Sequence, residues 1–352
     1  MRPFRLRLCH ELICALGLDE VDGARVVRAE PACEEDLLLV HEEEYIKVLR
    51  EADSGHMPVG GPAHGLGFGD NPVFRGVYEW SALSAGASLQ AADLVFERGG
   101  RAFNMAGGLH HAMASRASGF CYINDAALAI RHLVERGARV VYVDIDAHHG
   151  DGVQQAFYDT ERVLTISLHE TGRSLFPGTG FPGETGRGAG LGYSVNLPLP
   201  PGTGDPEYLA AFEAVVPGLL RAYAPDVLVT QLGADSLGRD PLTHLELTLR
   251  GFERLVRAFA SLDLPWVALG GGGYDVGATA RAWALAWAVM NNVEAPDEIP
   301  RCFLHKYPGL FEDGLLRGKD LPARGPEAGI MREIEEGVRY INEKILPGIR
   351  GT

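Results

Sequence analysis

The sequence predicts an α/β fold, a mainly parallel sheet covered by helices on both faces, and three observations carry that reading. Short β-rich apolar runs recur along the chain, segments of helical spacing separate them, and glycines, acids or histidines stand where the runs end. Strands buried on both faces read as continuous apolar runs. Alternating strand and helix signals imply parallel pairing.

In chain order, the predicted strands are 102–106, 139–143, 163–167, 226–232 and 265–269. Asn124 is placed to cap a helix running to Arg136, because its side chain can accept a free N–H of the first turn. Residues 248–261 repeat apolar side chains at helical spacing, and 276–290 form an Ala/Trp-rich helix too short to span a bilayer. Glycine and proline concentrate at 57–72, 176–191 and 270–273. Long loops of that kind inside a compact domain are usually functional. Residues 295–300 mark the end of the main sheet domain, after which Ile330, Ile334, Val338, Ile341 and Ile345 give the tail a helix with one apolar face. The expectation is one domain over residues 1–352, with 301–352 as a C-terminal helical extension packed on it.

Composition narrows the function. The 352 residues are 46% hydrophobic, enough for a sizeable core. Acids outnumber bases, 47 to 32, for a formal charge of −15, which argues against a direct nucleic-acid binder because phosphate neutralisation needs clustered Lys and Arg. No uncharged apolar run approaches the roughly 20 residues of a membrane span. The basic start resembles a signal peptide, but His10 and Glu11 interrupt its apolar stretch. Five cysteines (Cys9, Cys14, Cys33, Cys121, Cys302) form no C-x-x-C pair, which fits a reducing compartment. A cytoplasmic protein is expected, and its oligomeric state is left open.

The chemistry concentrates at strand ends, where open α/β sheets gather their active sites. Directly after the run 139–143 comes Asp144-Ile-Asp-Ala-His-His-Gly-Asp151. If the chain stays extended, Asp144, Asp146 and His148 point to one side, because side chains alternate with period two. The bland reading is an Asp/His-rich turn capping the next helix. Other strand ends oppose it: 102–106 leads into Gly107-Gly-Leu-His-His111, 226–232 into Gly233-Ala-Asp235, and 265–269 into Gly270-Gly-Gly-Gly-Tyr274.

These motifs, with Arg2 to His10, Gly119-Phe-Cys-Tyr-Ile-Asn-Asp125 and Phe176-Pro-Gly-Thr-Gly180, resemble a known family over most of the chain. It is the metal-dependent deacetylases related to class I histone deacetylases and bacterial acetoin-utilisation proteins, within the arginase/deacetylase superfamily. The resemblance implies hydrolysis of N6-acetyl-lysine in an acetylated protein, releasing lysine and acetate. It implies that Asp146, His148 and Asp235 bind one catalytic metal, Zn²⁺ with Fe²⁺ as the alternative; such sites keep an open position. It further implies that His110 and His111 are tandem histidines oriented by Asp144 and Asp151, that His111 moves protons, and that Tyr274 bonds the substrate carbonyl. Gly119, Phe120, Phe176 and Leu242 resemble walls of an acyl-lysine tunnel, and Asp70 resembles a rim aspartate gripping the substrate backbone. Structural K⁺ is implied near Asp144, Asp146, His148, Ser167 and Leu168, and again near Phe157, Thr160, Val163 and Tyr193. Arg5 matches an arginine lining an inner acetate cavity; the family pattern carries an edge strand and loop before the segment matching Arg2 to His10, so a truncated start or a missing edge strand is expected.

Rival readings differ at particular residues. A cysteine hydrolase built on Cys121 would not require Asp146, His148 and Asp235. Binuclear arginase-type chemistry would need further acids where the sequence has Gly150 and Leu237. Acetylpolyamine hydrolysis would favour an acid at the pocket mouth, where Leu242 offers none, although Glu246 lies nearby in sequence. A non-catalytic acyl-lysine-binding protein would keep the pocket without turnover. The remaining histidines, His10, His41, His56, His64, His132, His149, His169, His244 and His305, are expected at the surface or in satisfied core positions.

Overall fold

A computed structural model describes residues 3–67, 69–319 and 325–349, so Met1, Arg2 and the last three positions of the tail lie outside the described residues. Six strands, β1 (Arg101–Asn104), β2 (Val140–Asp144), β3 (Val163–Glu170), β4 (Ser194–Leu199), β5 (Val227–Gln231) and β6 (Trp266–Leu269), form one sheet in the order β1-β6-β5-β2-β3-β4. Every pairing is parallel. Each of the five predicted runs overlaps a strand. The sixth, β4, was not predicted: it alternates polar and apolar residues and contains Pro198, which an edge strand tolerates.

The helices preceding β3 in the chain are α1 (Phe4–Ala15), α2 (Glu34–Leu37), α3 (Glu43–Glu51), α4 (Val77–Arg98), α5 (Asp125–Glu135) and α6 (Asp151–Ala156). α7 (Asp205–Tyr223) and α8 (Leu249–Ala260) follow β4 and β5, and α9 (Val276–Met290), α10 (Arg301–Lys306) and α11 (Ala328–Tyr340) follow β6. The predicted Asn124 cap forms, and two further caps accompany it. Asn124 accepts from the Ala127 N–H at 2.9 Å, and Thr248 accepts from the Gly251 N–H at 3.0 Å. Asp275 caps α9, whose bounds coincide with the predicted 276–290.

Alternation along the strands sends side chains into two cores. Val141, Val143, Leu164, Ile166 and Leu228 pack with α1, α7, α8 and α9 on one face. Val140, Tyr142, Val163, Val227 and Val229 pack with α4, α5 and Val153 of α6 on the other. Both faces are buried, which is why the strands read as unbroken apolar runs. In the tail, Ile330, Ile334, Ile341 and Ile345 bury into the first core while α11 lies against α7 and β4. Among the described residues, no helix is long and apolar enough to cross a membrane.

Candidate active site

The carboxyl ends of β2, β5, β6 and β1 converge on one cluster. Strand β2 stops at Asp144, and the chain turns through Asp146 to His148 while β5 delivers Asp235 from the following loop. Asp146, His148 and Asp235 are all buried, with one ligand-type atom from each lying within 4.8 Å of the others. The His148 Nδ1 sits 3.1 Å from Asp146 Oδ1 and 3.0 Å from Asp235 Oδ2. Asp144 does not join this group, contrary to what simple alternation implies. Its Oδ1 accepts from the Asp146 N–H at 3.0 Å, and its Oδ2 faces His110 Nδ1 and the Tyr142 hydroxyl, each at 2.7 Å. The period-two rule lapses because the strand ends at Asp144.

Burial opposes charge on Asp146, but His110 and His148 outweigh it and hold the carboxyl below its ordinary range. Burial and the neighbouring Asp146 push Asp235 the other way. Two buried carboxylates thus share one imidazole, a donor set of two oxygens and one nitrogen that suits a metal cation. The cradle also excludes side chains at its floor: a Cβ on Gly272 would lie 1.9 Å from Asp235 Oδ2.

Beside the triplet stand two histidines, each with its own carboxylate. His110 meets Asp144 at 2.7 Å, His111 meets Asp151 Oδ1 at 2.7 Å, and their Nε2 atoms are 3.1 Å apart. A carboxylate only accepts, so each Nδ1 carries its proton toward the acid. Burial works to keep His110 neutral, yet Asp144 and Asp146 push it up to about 9. His111 is pushed down to about 4, by burial first and by His110 second. The two rings are thus pushed in opposite directions.

Around this centre lie the predicted walls. Gly119 and Phe120 both have positive φ, +50° and +65°, and a Cβ on Gly119 would lie 2.5 Å from His111 Cδ2. Phe176 stands edge-on to His111 with ring centroids 5.0 Å apart, while Phe120 and Tyr274 are 5.8 Å apart. The Tyr274 ring stands 6.4 Å from that of His148, and burial keeps its hydroxyl protonated. Phe176 and Leu242 are half exposed. Asp70 is exposed on a turn whose segment packs against the chain just before Gly119, through the Ala117 N–H to His64 O bond of 2.9 Å.

Comparison with known proteins settles the family. A family model for the histone deacetylase domain matches residues 1–290. The chain belongs to the histone deacetylase family. It is 42% identical over 312 residues to the acetoin utilization protein AcuC of Bacillus subtilis (strain 168), covering 86% of this chain and 80% of that protein. Histone deacetylase RPD3 of Saccharomyces cerevisiae is 40% identical over 312 residues, covering 88% and 71%. The crystal structure of a histone deacetylase homologue from Aquifex aeolicus superposes with a TM-score of 0.87 at 36% identity, covering 95% of this chain and 92% of that one. The protein is thus a hydrolytic deacetylase of the arginase/deacetylase fold, acting on acetylated substrates.

Two residues to which no role was assigned also build the deacetylase site. Gln231, the last residue of β5, donates to Asp146 Oδ2 at 2.6 Å and accepts from the Gly233 N–H at 2.7 Å. Asp125 accepts from the N–H groups of Gly108 and Leu109, fixing the turn before the histidines. Both belong to motifs that carry the family resemblance, but nothing in the sequence said what they bond. Arg5 is buried and donates to Gly271 O at 2.6 Å and Gly273 O at 3.0 Å.

The residues implied for monovalent cations fall into two places. Asp144 and Ser167 are register partners across β2 and β3, with Leu168 next in β3. Phe157, Thr160 and Val163 lie between α6 and β3, where Tyr193 O accepts from the Thr165 N–H at 3.0 Å. Cys121 is buried, its thiol aimed at Gly119 O and pushed up by burial, which disfavours the thiolate a nucleophile needs. His41, His149 and His169 are buried and hydrogen-bonded on both ring nitrogens. His132 and His244 instead pair with acids, Asp93 and Glu170.

Proposed function

We propose that this deacetylase hydrolyses N6-acetyl-lysine in proteins, releasing lysine and acetate, with residues 1–352 acting as one domain and 301–352 packed on it. The observation that carries the reading is the buried Asp146–His148–Asp235 group with two carboxylate-backed histidines on one side and Tyr274 on another. Asp146, His148 and Asp235 would hold the divalent metal, Zn²⁺ with Fe²⁺ as the alternative. When bound there, the metal supplies a Lewis acid that polarises the acyl carbonyl and acidifies water.

The chain's own residues do the rest. His111, its Nδ1–H fixed on Asp151, takes the proton of the attacking water at Nε2 as the oxygen adds to the acyl carbon. Tyr274 donates its hydroxyl to the developing oxyanion, and His110 adds positive charge nearby. The C–N bond then breaks, and His111 returns its proton to the leaving amine. Phe120 and Phe176 would flank the uncharged stem of the acylated lysine, Gly119 and Leu242 would complete the tunnel wall, and Asp70 would grip the substrate backbone at the rim. Structural K⁺ would occupy the two groups around Ser167 and Tyr193. The reading places the enzyme in the cytoplasm with acetylated proteins as partners.

The test compares an acetyl-lysine peptide with acetylated polyamines, with and without chelator. Faster, chelator-sensitive turnover of the peptide is expected. Preference for polyamines would replace the substrate assignment, and chelator-resistant turnover would overturn the metal assignment.

A further inference from the structure

Tyr274 follows four glycines, two of which, Gly271 and Gly273, have φ of +135° and +134°. A run without side chains has little of its own to fix the residue that comes next. Arg5 holds the Gly271 and Gly273 carbonyls, and the Gly272 N–H bonds Asp146 Oδ2 at 2.8 Å, but the N–H of Tyr274 itself is held by another loop. Asp240 Oδ2 accepts the Tyr274 N–H at 2.7 Å, and Asp240 Oδ1 accepts the Leu242 N–H at 3.0 Å. One carboxylate therefore joins the residue aimed at the oxyanion to a residue of the tunnel wall.

The loop bearing Asp240 is itself built onto the Asp146–His148–Asp235 group. Thr243 Oγ1 donates to the Asp235 carbonyl, the Leu247 N–H bonds Ser236 O at 3.1 Å, and the Gly238 N–H bonds Leu247 O at 3.0 Å. Asp240 thus carries the frame of Asp235 across to Tyr274. Both its oxygens are engaged as acceptors from separate N–H groups. An amide cannot repeat this, because it offers one accepting oxygen and turns an NH₂ toward the second N–H. A second tie, Arg239 to Asp275 at 3.4 Å, is exposed on the arginine side and holds the residue after Tyr274.

We propose that Asp240 is a positioning residue that sets where the Tyr274 hydroxyl stands over the Asp146–His148–Asp235 group, and that the task requires a carboxylate. The proposal rests on the oxyanion role of Tyr274 given above. Asp240 touches no reacting atom; it acts through the backbone of Tyr274.

The experiment is a double-mutant cycle. Asp240→Asn and Asp240→Ala are each made in the parent and in Tyr274→Phe, and kcat, KM, metal content and Tm are measured with an acetyl-lysine peptide. In the parent, Asp240→Asn is expected to lower kcat about tenfold or more, with metal content unchanged, because a charge-assisted bond is lost. In Tyr274→Phe the same change is expected to cause little further loss. Parent-like kcat for Asp240→Asn overturns the proposal while leaving the Tyr274 reading standing. An equal fold-loss in both backgrounds also overturns it, since Asp240 would then order the loop without acting through the hydroxyl. Near-parent kcat for Tyr274→Phe alone overturns the oxyanion reading and this proposal together. Should Asp240→Ala fail to fold, the isosteric Asp240→Asn arm still decides.

Discussion

Replacing Gly272 by alanine should empty the metal site while leaving the fold in place. Gly272 has no positive φ, so alanine suits its backbone, and the difficulty is purely one of space. The added Cβ would lie 1.9 Å from Asp235 Oδ2 and 2.8 Å from Asp146 Oδ2. Carbon and oxygen sit comfortably at about 3.3–3.6 Å, so Asp235 Oδ2 must retreat by roughly 1.4 Å. Its partner oxygen is pinned by the Ala147 N–H at 2.9 Å, so the carboxylate has to twist out of line with His148. Metal sites hold their ligand distances to about ±0.2 Å, several times less than this displacement. Divalent-metal affinity is therefore expected to fall by about 100-fold or more, with kcat falling at sub-saturating metal, whereas overpacking alone costs about 1–3 kcal/mol of stability. Competition with a chelating dye measures the affinity, and circular dichroism on heating measures the stability. Gly183→Ala is the control, because nothing lies within 4 Å of its Cβ. Parent-like affinity in Gly272→Ala would refute the placement of the metal between Asp146 and Asp235.

Tyr274→Phe should lower kcat by roughly 10²–10³ with metal content intact, as removal of one oxyanion donor does; an unchanged kcat would sink that role. His41 gives a pH-dependent stability away from the metal site. Its Nδ1 donates to Met113 O and its Nε2 accepts from the Asn124 N–H, both at 3.0 Å, so the fold needs the neutral ring, and burial pushes it down to about 4. The unfolded chain, with a pKa near about 6.5, binds more protons between those values, so this stability is complete above 6.5 and lost as pH falls toward 4. The full effect is about 3 kcal/mol. Tm of His41→Gln should fall less steeply between pH 6.5 and 4 than Tm of the parent, and equal slopes would contradict the account.

What was legible in the sequence is what repeats locally. Buried strands announced themselves as apolar runs, Asn124 carried a recognisable cap, and α8 and α9 showed in apolar spacing and composition. β4 escaped because Pro198 and its alternation belong to an edge. α4 escaped for another reason. It is rich in Ala, Ser and Gly, and it is buried around much of its circumference, so its sequence offers little contrast between faces. Gly86 lies so close to the 30–32 backbone that a Cβ would meet Glu30 O at 1.9 Å. Small residues there permit close approach, and close approach leaves no periodic signature.

The site was legible to the extent that its chemistry demands particular residue types. Acids and histidines after strand ends could be found, and the resemblance paired His110 with Asp144 and His111 with Asp151; the contacts of Asp125, Gln231 and Asp240 could not be found, because their partners are far away in sequence. Asp125 reaches back 17 residues to Gly108, Gln231 reaches 85 residues to Asp146, and Asp240 reaches 34 residues forward to Tyr274. A buried polar side chain must find a partner, but composition alone does not say which. The same requirement explains the centre itself. Asp125 is met by two backbone N–H groups and Ser88, Asp144 by His110 and Tyr142, and Asp151 by His111. Asp146 and Asp235 instead share His148 between them. Asp146 also accepts from Gln231 and the Gly272 N–H, and Asp235 from the Ala147 N–H, yet two carboxylates stand beside one imidazole, and a divalent cation seated there would offset their combined charge. Metal binding and stability of this end of the sheet are then coupled through the same two carboxylates.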